Sequence, residues 1–502
     1  MKKIIFFITF LFFQTFINLH AQDTLFIKEH KIIDMGESMI IEPNTVVLFT
    51  GEYKITVVGT IIAKGTEENP IKFTSMFNQN NPQGTSWRGI AFLSVNDNPT
   101  ADSSIFEHCT FEHSYTYLAC GNEGNGGAVN IYNSSIIRFS DCIFQNNCAN
   151  FVGGAVALTN SDVVLERCIF QNNNTSDISE SYGGAIATEN SAFKMYNCIF
   201  DGNTSSSVGG AIYCNECNDA AIVGCEFRNN TGSSGGAAFI TGCRDLKFNN
   251  NLFHHNTSTF FGAAFAVKNS NFRMLNCTVA DNHSKQSGGG IYCSNDVIIN
   301  IYNSIFAKNE AESSGDQIHI AYNESIVNLS NCTIEGGKDL FSGAGSGEYF
   351  LGIYNEIIEE NIEFETYDNY DYYLPGNSPC IDAGEMKVLE YLDEYDFAGN
   401  ARVVNGLIDI GAFERVDVLN IDKYNDEINE LLVYPNPAND FITINLSSET
   451  LYGNYYIIDI SGKILKTFNI KQINSKVNIS DLNTGIYFIK NDFGYVSKFI
   501  VE

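Results

Sequence analysis

Six residues stand out for the chemistry their types and spacing would allow: Asp201, Arg228, His254, His255, Asp281 and Lys308, each one or two positions before a recurring Asn. Carboxylates, imidazoles and a base converging on one face from neighbouring repeats would suit acid–base work on a sugar chain. The same residues equally read as a solvated turn face with cross-repeat ion pairs, worth about 0–1 kcal/mol each. The hydrolase pieces Asp-Asp, Gly-His-Gly and Arg-x-Lys are absent from the sequence. A second set offers contact rather than proton transfer: Tyr213, Phe239, Phe265 and Tyr292, each four positions after the first member of a small-residue triplet. If they face outward they form an aromatic stripe, on which sugar rings or an extended partner can lie. A self-stacking ladder is the structural alternative.

What must position these residues is a repeat. Gly126-Gly127-Ala128 recurs at Gly153, Gly183, Gly209 and Gly235, then as Phe261-Gly262-Ala263 and Gly288-Gly289-Gly290, at steps of 27, 30, 26, 26, 26 and 27 residues. In phase run Cys109, Cys142, Cys168, Cys198, Cys225, Asn251, Cys277, Ser304 and Cys332. Residues alternate with period two inside each unit, as in "FSDCIF" and "MYNCIF", so the unit is built of short strands. Three strands in about 27 residues make one coil of a parallel β-helix, each strand pairing with its equivalent one coil away. Asn147, Asn173, Asn203, Asn230, Asn256, Asn282 and Asn309, five residues past the Cys marks, predict a ladder of stacked amides in one turn.

The chain has 14 Cys, and the column marks read as unpaired apolar core residues. One inward stack without convergent His or carboxylates makes no tetrahedral metal site. Cys217 and Cys243 occupy the same phase on adjacent coils, about 4.8 Å apart, which predicts a disulfide. Cys120 and Cys148 are a second, near-matching pair.

Residues 1–21 read as a signal peptide: Lys2 and Lys3 precede an apolar run to Leu19, then Ala21. Export permits disulfides. No later stretch has the roughly 18 apolar residues of a spanning helix. The formal charge of −30, from 29 basic and 59 acidic residues in 502, repels a phosphate backbone and excludes nucleic acid as a partner.

"GGAI" with "FQNN" resembles the repeat of chlamydial polymorphic outer-membrane proteins and of secreted right-handed β-helix proteins, over about residues 40–340. The resemblance implies an all-β, pectin-lyase-like right-handed parallel β-helix over 22–350, in families that include adhesins as well as polysaccharide lyases and hydrolases. Fold alone does not choose between them. Residues 354–430 carry 20 acidic against 4 basic residues. Within them "SPCIDAG", "DFAGNAR" and "DIGAFE" resemble the choice-of-anchor Q module. Segment 351–415 is expected to cap the open end through Asp382, Asp396, Arg402, Asp409 and Glu414, with calcium held by converging carboxylates as the alternative. A linker, 416–430, follows.

Residues 431–502 hold five strand patterns split by Gly and Asn turns and predict a small β-sandwich. "YPNPANDFITI", "DISGK", "LNTGIYFI" and the terminal motif Lys498, Phe499, Ile500, Val501 resemble the type A sorting domain of the type IX secretion system of Bacteroidetes. That resemblance implies the secretion machinery as a partner, passage through the outer membrane, removal of the domain, and release or surface attachment. The reading is a secreted or surface-attached binding protein for a glycan or protein ligand, with no cofactor. A polysaccharide lyase or hydrolase is the alternative.

Overall fold

A computed structural model describes residues 24–76, 86–93, 104–116, 125–134, 137–176, 180–367, 370–404, 406–415, 431–446, 451–460, 462–491 and 496–501. The signal peptide, the linker and Cys120 lie outside the described residues. Two compact units divide at Arg415 and Val416.

The first unit is a right-handed parallel β-solenoid. One coil shows the plan: Val156–Thr159, Asp162–Glu166, Ile169–Gln171 and Asn174–Thr175. Each strand pairs in parallel with its counterpart one coil on, giving sheets of 11, 23 and 8 strands among the described residues. The coil therefore has four short strands rather than three, because the 23-stranded sheet takes two per coil. The break falls one residue before each Cys mark, where Asp141, Arg167, Asn197, Gly224, Asn250, Asn276, Asn303 and Asn331 all have φ between 47° and 64°. Asn, Asp and Gly tolerate this left-handed turn best, and it lets the residues on both sides keep pointing inward.

Inside, Phe73, Phe111, Phe144, Phe170, Phe200, Phe227 and Phe253 stack at centroid distances of 4.6–4.9 Å. The Cys marks are buried beside them. They do more than fill space: Cys198 N donates to Cys225 Sγ at 3.4 Å, Cys225 N to Asn251 Oδ1 at 2.8 Å, and Cys277 N to Ser304 Oγ at 3.1 Å. Sulfur, amide and hydroxyl thus serve as equivalent acceptors for the amide one coil before. The Asn ladder occupies a single turn; for example, Asn203 N and Nδ2 both donate to Asn230 Oδ1 at 3.0 Å, while Asn230 Nδ2 donates to Phe200 O. The second Gly of the triplet is a matter of space: a Cβ on Gly210 would lie 2.1 Å from Gly236 O.

The solenoid's last rung is Tyr354–Ile358, paired with Ile326–Ile334. The acidic segment then leaves the end. Instead of capping it, residues 362–415 run back along the flank of the last coils. Asn276 Nδ2 donates to Asp409 O at 3.0 Å, and Asn250 Nδ2 donates to Tyr395 O at 2.8 Å. Leu252, Ala280, Tyr372 and Phe413 form one of the small cores beneath this strap. The carboxylates named for the cap supply its internal bonds. Arg402 and Glu414 pair at 2.8 Å with side chains 1% exposed, Asp409 accepts from Asp382 N at 2.7 Å, and Asp396 accepts from Glu414 N at 2.8 Å. Asp382 contributes its backbone, and its own side chain is exposed. The Asp396, Asp409 and Glu414 carboxylates thus accept N–H bonds within the strap itself.

The second unit holds two antiparallel sheets. One contains Leu431–Tyr434, Phe441–Leu446 and Asn474–Asn478; the other contains Ile464–Ile470, Gly453–Asp459, Gly485–Asn491 and Val496–Val501. In the terminal motif Phe499 and Val501 are buried in its core and Lys498 is exposed.

Candidate functional site

The aromatic stripe lies on the outer face of the 11-stranded sheet, with one correction. Tyr213, Phe239 and Tyr292 face outward, but Phe265 is fully buried, its ring 4.5 Å from Phe253. The register shows why: Gly262, with φ 61°, is the equivalent of Gly209, Gly235 and Gly288, so the outward residue four positions on is Ala266. Phe265 pairs instead with inward Ala238. Aromatics from the preceding corner join the outer column. Tyr182 stacks on Tyr213 at 4.8 Å, Tyr213 on Phe239 at 5.9 Å, Phe261 on Tyr292 at 4.4 Å and Tyr292 on His319 at 4.9 Å, all within 27° of parallel. The rings spend their faces on one another, and a sugar stacking on them would find mostly edges.

The charged strip resolves into two adjacent columns on the 23-stranded sheet. Asp201, Arg228 and His254 are paired strand positions, whereas His255, Asp281 and Lys308 take the left-handed turn that follows, with φ of 52° to 55°. Glu226, which the spacing did not single out, ties the first column together. It accepts from Arg228 at 2.9 Å and contacts His254 Nε2 at 2.9 Å, while Arg228 also meets Asp201 at 3.1 Å. Burial raises the Glu226 pKa, but the His254 hydrogen bond and the Arg228 charge outweigh it and hold the group below its usual value. His254 Nδ1 contacts His255 Nδ1 at 2.9 Å, and His255 Nδ1 in turn contacts the Tyr372 hydroxyl at 3.3 Å; that hydroxyl donates to Asp281 at 2.9 Å. Tyr372 comes from the strap and its ring lies 4.9 Å from His254, so the series is largely covered. Lys308 reaches Glu363 at 3.4 Å. The strip neutralises itself and fastens the strap.

The expected disulfide is replaced by a hydrogen-bonded stack. Cys217 and Cys243 are both free and buried, with Cys217 N donating to Cys243 Sγ at 3.3 Å. Ser161, Ser191 and Ser270 occupy the same phase, and Cys243 N donates to Ser270 Oγ at 3.0 Å. The Cys243 sulfur is thus engaged by the amide of the coil before, the same contact that Ser270 Oγ makes with Cys243 N. Cys148 is also free. Among the described residues no group of three or more His, Cys, Asp and Glu is placed to hold a metal ion.

What the structure brings together, and the spacing did not show, is a pair of adjoining grooves on the first strand column of the 23-stranded sheet, the second of which is walled by the strap. One, of about 560 Å³, is lined by Asp245, Lys247, Asn271, Arg273 and Asn300 among others. The other, of about 660 Å³, shares Arg273 and Asn300 and adds Lys387, Glu390 and Tyr391. Lys247, Arg273, Asn300 and Asn328 are paired positions on successive coils. The Arg273 guanidinium packs over the Tyr391 ring at 4.2 Å, and its Nε is buried with no hydrogen-bond partner among the described residues. The strand alternation alone marks Lys247 and Arg273 as outward. Tyr391 arrives from a segment far downstream, in the short 3₁₀ turn Met386–Tyr391, and no repeat period points to it.

Residues 432–502 match the family model of the secretion system C-terminal sorting domain. This is a type IX secretion sorting tail, and it implies the secretion machinery as a partner and a cell-surface or secreted location. Residues 89–271 match the family model of the right handed beta helix region. No curated protein matches the chain. Among the described residues no helix is long and apolar enough to cross a membrane. The two matches fit a secreted β-helix protein, and the geometry of the solenoid flank bears on what it does outside the cell.

Proposed function

We propose that the chain is a noncatalytic binding or adhesion protein, exported by type IX secretion, whose solenoid flank holds an extracellular glycan in the Arg273 grooves. The observation that carries this reading is a planar cation clamped on one face by Tyr391, with no ion-pair partner among the described residues, in an open groove lined by amides. Planar side chains with fixed donors over an aromatic surface suit binding with orientation. The grooves are poorly equipped for glycosidic cleavage. That chemistry requires one carboxyl kept protonated by a raised pKa, and Asp219, at the rim, is shifted the other way by its hydrogen bond from Lys247. Removal of the sorting domain and the choice between release and surface attachment belong to this proposal as well.

The test is retention of the purified full chain on immobilised glycans, with new reducing or unsaturated ends scored in the same samples. Retention without new ends is the expected result. Turnover at enzymatic rates would establish the lyase or hydrolase alternative instead.

A further inference from the structure

Resting on that reading, we infer that the grooves select a neutral, hydroxyl-rich chain over an acidic one. The charges around them are mostly spent: Lys247 pairs with Asp219 at 2.5 Å, and Lys387 with Glu385 at 2.8 Å. What remains is Arg273 against the carboxylates of Asp245 in one groove and Glu390 in the other. A polyanion entering would meet one unpaired cation and two carboxylates, on a chain of formal charge −30.

A sugar hydroxyl donates and accepts, and the lining supplies both partners in alternation. Asn271 Oδ1 accepts from Asp245 N at 2.8 Å, and Asn300 Oδ1 accepts from Asn328 Nδ2 at 2.9 Å. Each carbonyl has one lone pair engaged and one to spare, and each NH₂ group can donate, beside the Arg273 donors and the Asp245 and Glu390 acceptors. A groove built to hydrogen-bond hydroxyls discriminates strongly, because a ligand lacking them leaves these groups unpaired. Its length suits a polymer. The lining spans the five coils carrying Asp219, Asp245, Asn271, Ile298 and Ser330, or roughly 19 Å at ~4.8 Å per coil.

The experiment is affinity electrophoresis of the purified full chain through gels holding a mixed-linkage β-glucan, a galactomannan or an arabinoxylan, beside gels holding polygalacturonate or alginate. At least one neutral polymer should retard the chain and neither acidic one should. Arg273→Ala and Asn300→Ala should each weaken that retardation about tenfold, the size of one lost hydrogen bond or two. Tyr213→Ala, on the aromatic face, should leave it unchanged. Circular dichroism and melting temperature confirm that the variants fold. Retardation by an acidic polymer that Arg273→Ala abolishes would overturn the neutral assignment and leave the binding reading standing. Retardation insensitive to Arg273→Ala and Asn300→Ala would remove the grooves as its site. No retardation by any of the five polymers would count against glycan binding itself.

Discussion

Asn303 and Glu385 close a ring of two hydrogen bonds: Glu385 N donates to Asn303 Oδ1 at 2.7 Å, and Asn303 Nδ2 donates to Glu385 O at 3.2 Å. The side-chain amide of one coil thereby stands in for a neighbouring strand and satisfies the strap's backbone. Asn250, Asn276 and Asn331, at the same left-handed turn of other coils, bond the strap's carbonyls at Tyr395, Asp409 and Ala383. A residue type chosen for backbone conformation also provides the docking chemistry, and Asn249 Nδ2, from the strand just before one of these turns, donates to Tyr391 O at 2.8 Å.

Asn303→Gly, which keeps the left-handed turn, therefore loosens the strap rather than the solenoid. It leaves two strap backbone groups without partners, at about 1–3 kcal/mol for each group that stays buried. Hydrogen exchange should speed up in peptides covering residues 383–392 and remain slow in the strands of the 11-stranded sheet. Uniform acceleration throughout the first unit would show that the strap and the coils unfold together.

The Glu226 carboxyl supplies a pH dependence with a definite sign. Its folded pKa is below the unfolded value near 4.5, so its contribution is present above that value and is lost as pH falls through the folded pKa. Glu226→Gln should lower stability at pH 7 by about 1.5–3 kcal/mol, as for hydrogen bonds to charged groups. The gap between variant and parent should narrow as pH falls through the folded pKa, below 4.5. A gap that does not change with falling pH would mean that Glu226 acts through packing rather than charge.

The Cys column makes an unusual demand of its residues: small, buried and able to accept from an amide. Cys225 Sγ accepts from Cys198 N, as Ser304 Oγ does from Cys277 N. Cys225→Ser is expected to change stability by less than about 1.5 kcal/mol, whereas Cys225→Leu overpacks the coil at a cost of about 1–3 kcal/mol. Denaturation midpoints read both. Alkylation of the unreduced, denatured protein should label Cys217 and Cys243, and protection of both would restore the disulfide.

The sorting domain has its own core, so a lesion there separates address from fold. Phe499 is fully buried in it, and Phe499→Asp places a charge among Ile442, Ile457 and Ile489. Surface display should fall sharply in cells while the solenoid keeps its melting temperature. Normal display of this variant would mean that the exposed residues of the tail carry the signal without the fold.

Much of the solenoid could be read in the sequence because its period is expressed in residue types with few substitutes. Gly210 has no room for a Cβ, and the buried Asn230 amide bonds the coils on both sides. Phe265 was misplaced because Phe261-Gly262-Ala263 imitates the triplet one residue out of phase, and only the φ of Gly262 settles the register. The Cys217–Cys243 bridge rests on distance alone, whereas the column of Ser161, Ser191 and Ser270 shows that its residues serve as acceptors for the amide of the coil before, and both thiols are free. The grooves were illegible for a topological reason. Arg273 belongs to the repeat and Tyr391 to a strap whose return path no local pattern encodes.

The central claim is that ligand lies along Lys247, Arg273 and Asn300, beside the strap's Tyr391. Hydrogen-exchange mapping with and without a retained neutral polysaccharide tests it most directly. Slowed exchange confined to peptides around 245–247, 271–273, 298–300 and 385–391 is the predicted result; slowing at Tyr182, Tyr213, Phe239 and Tyr292, with none at Arg273, would contradict it.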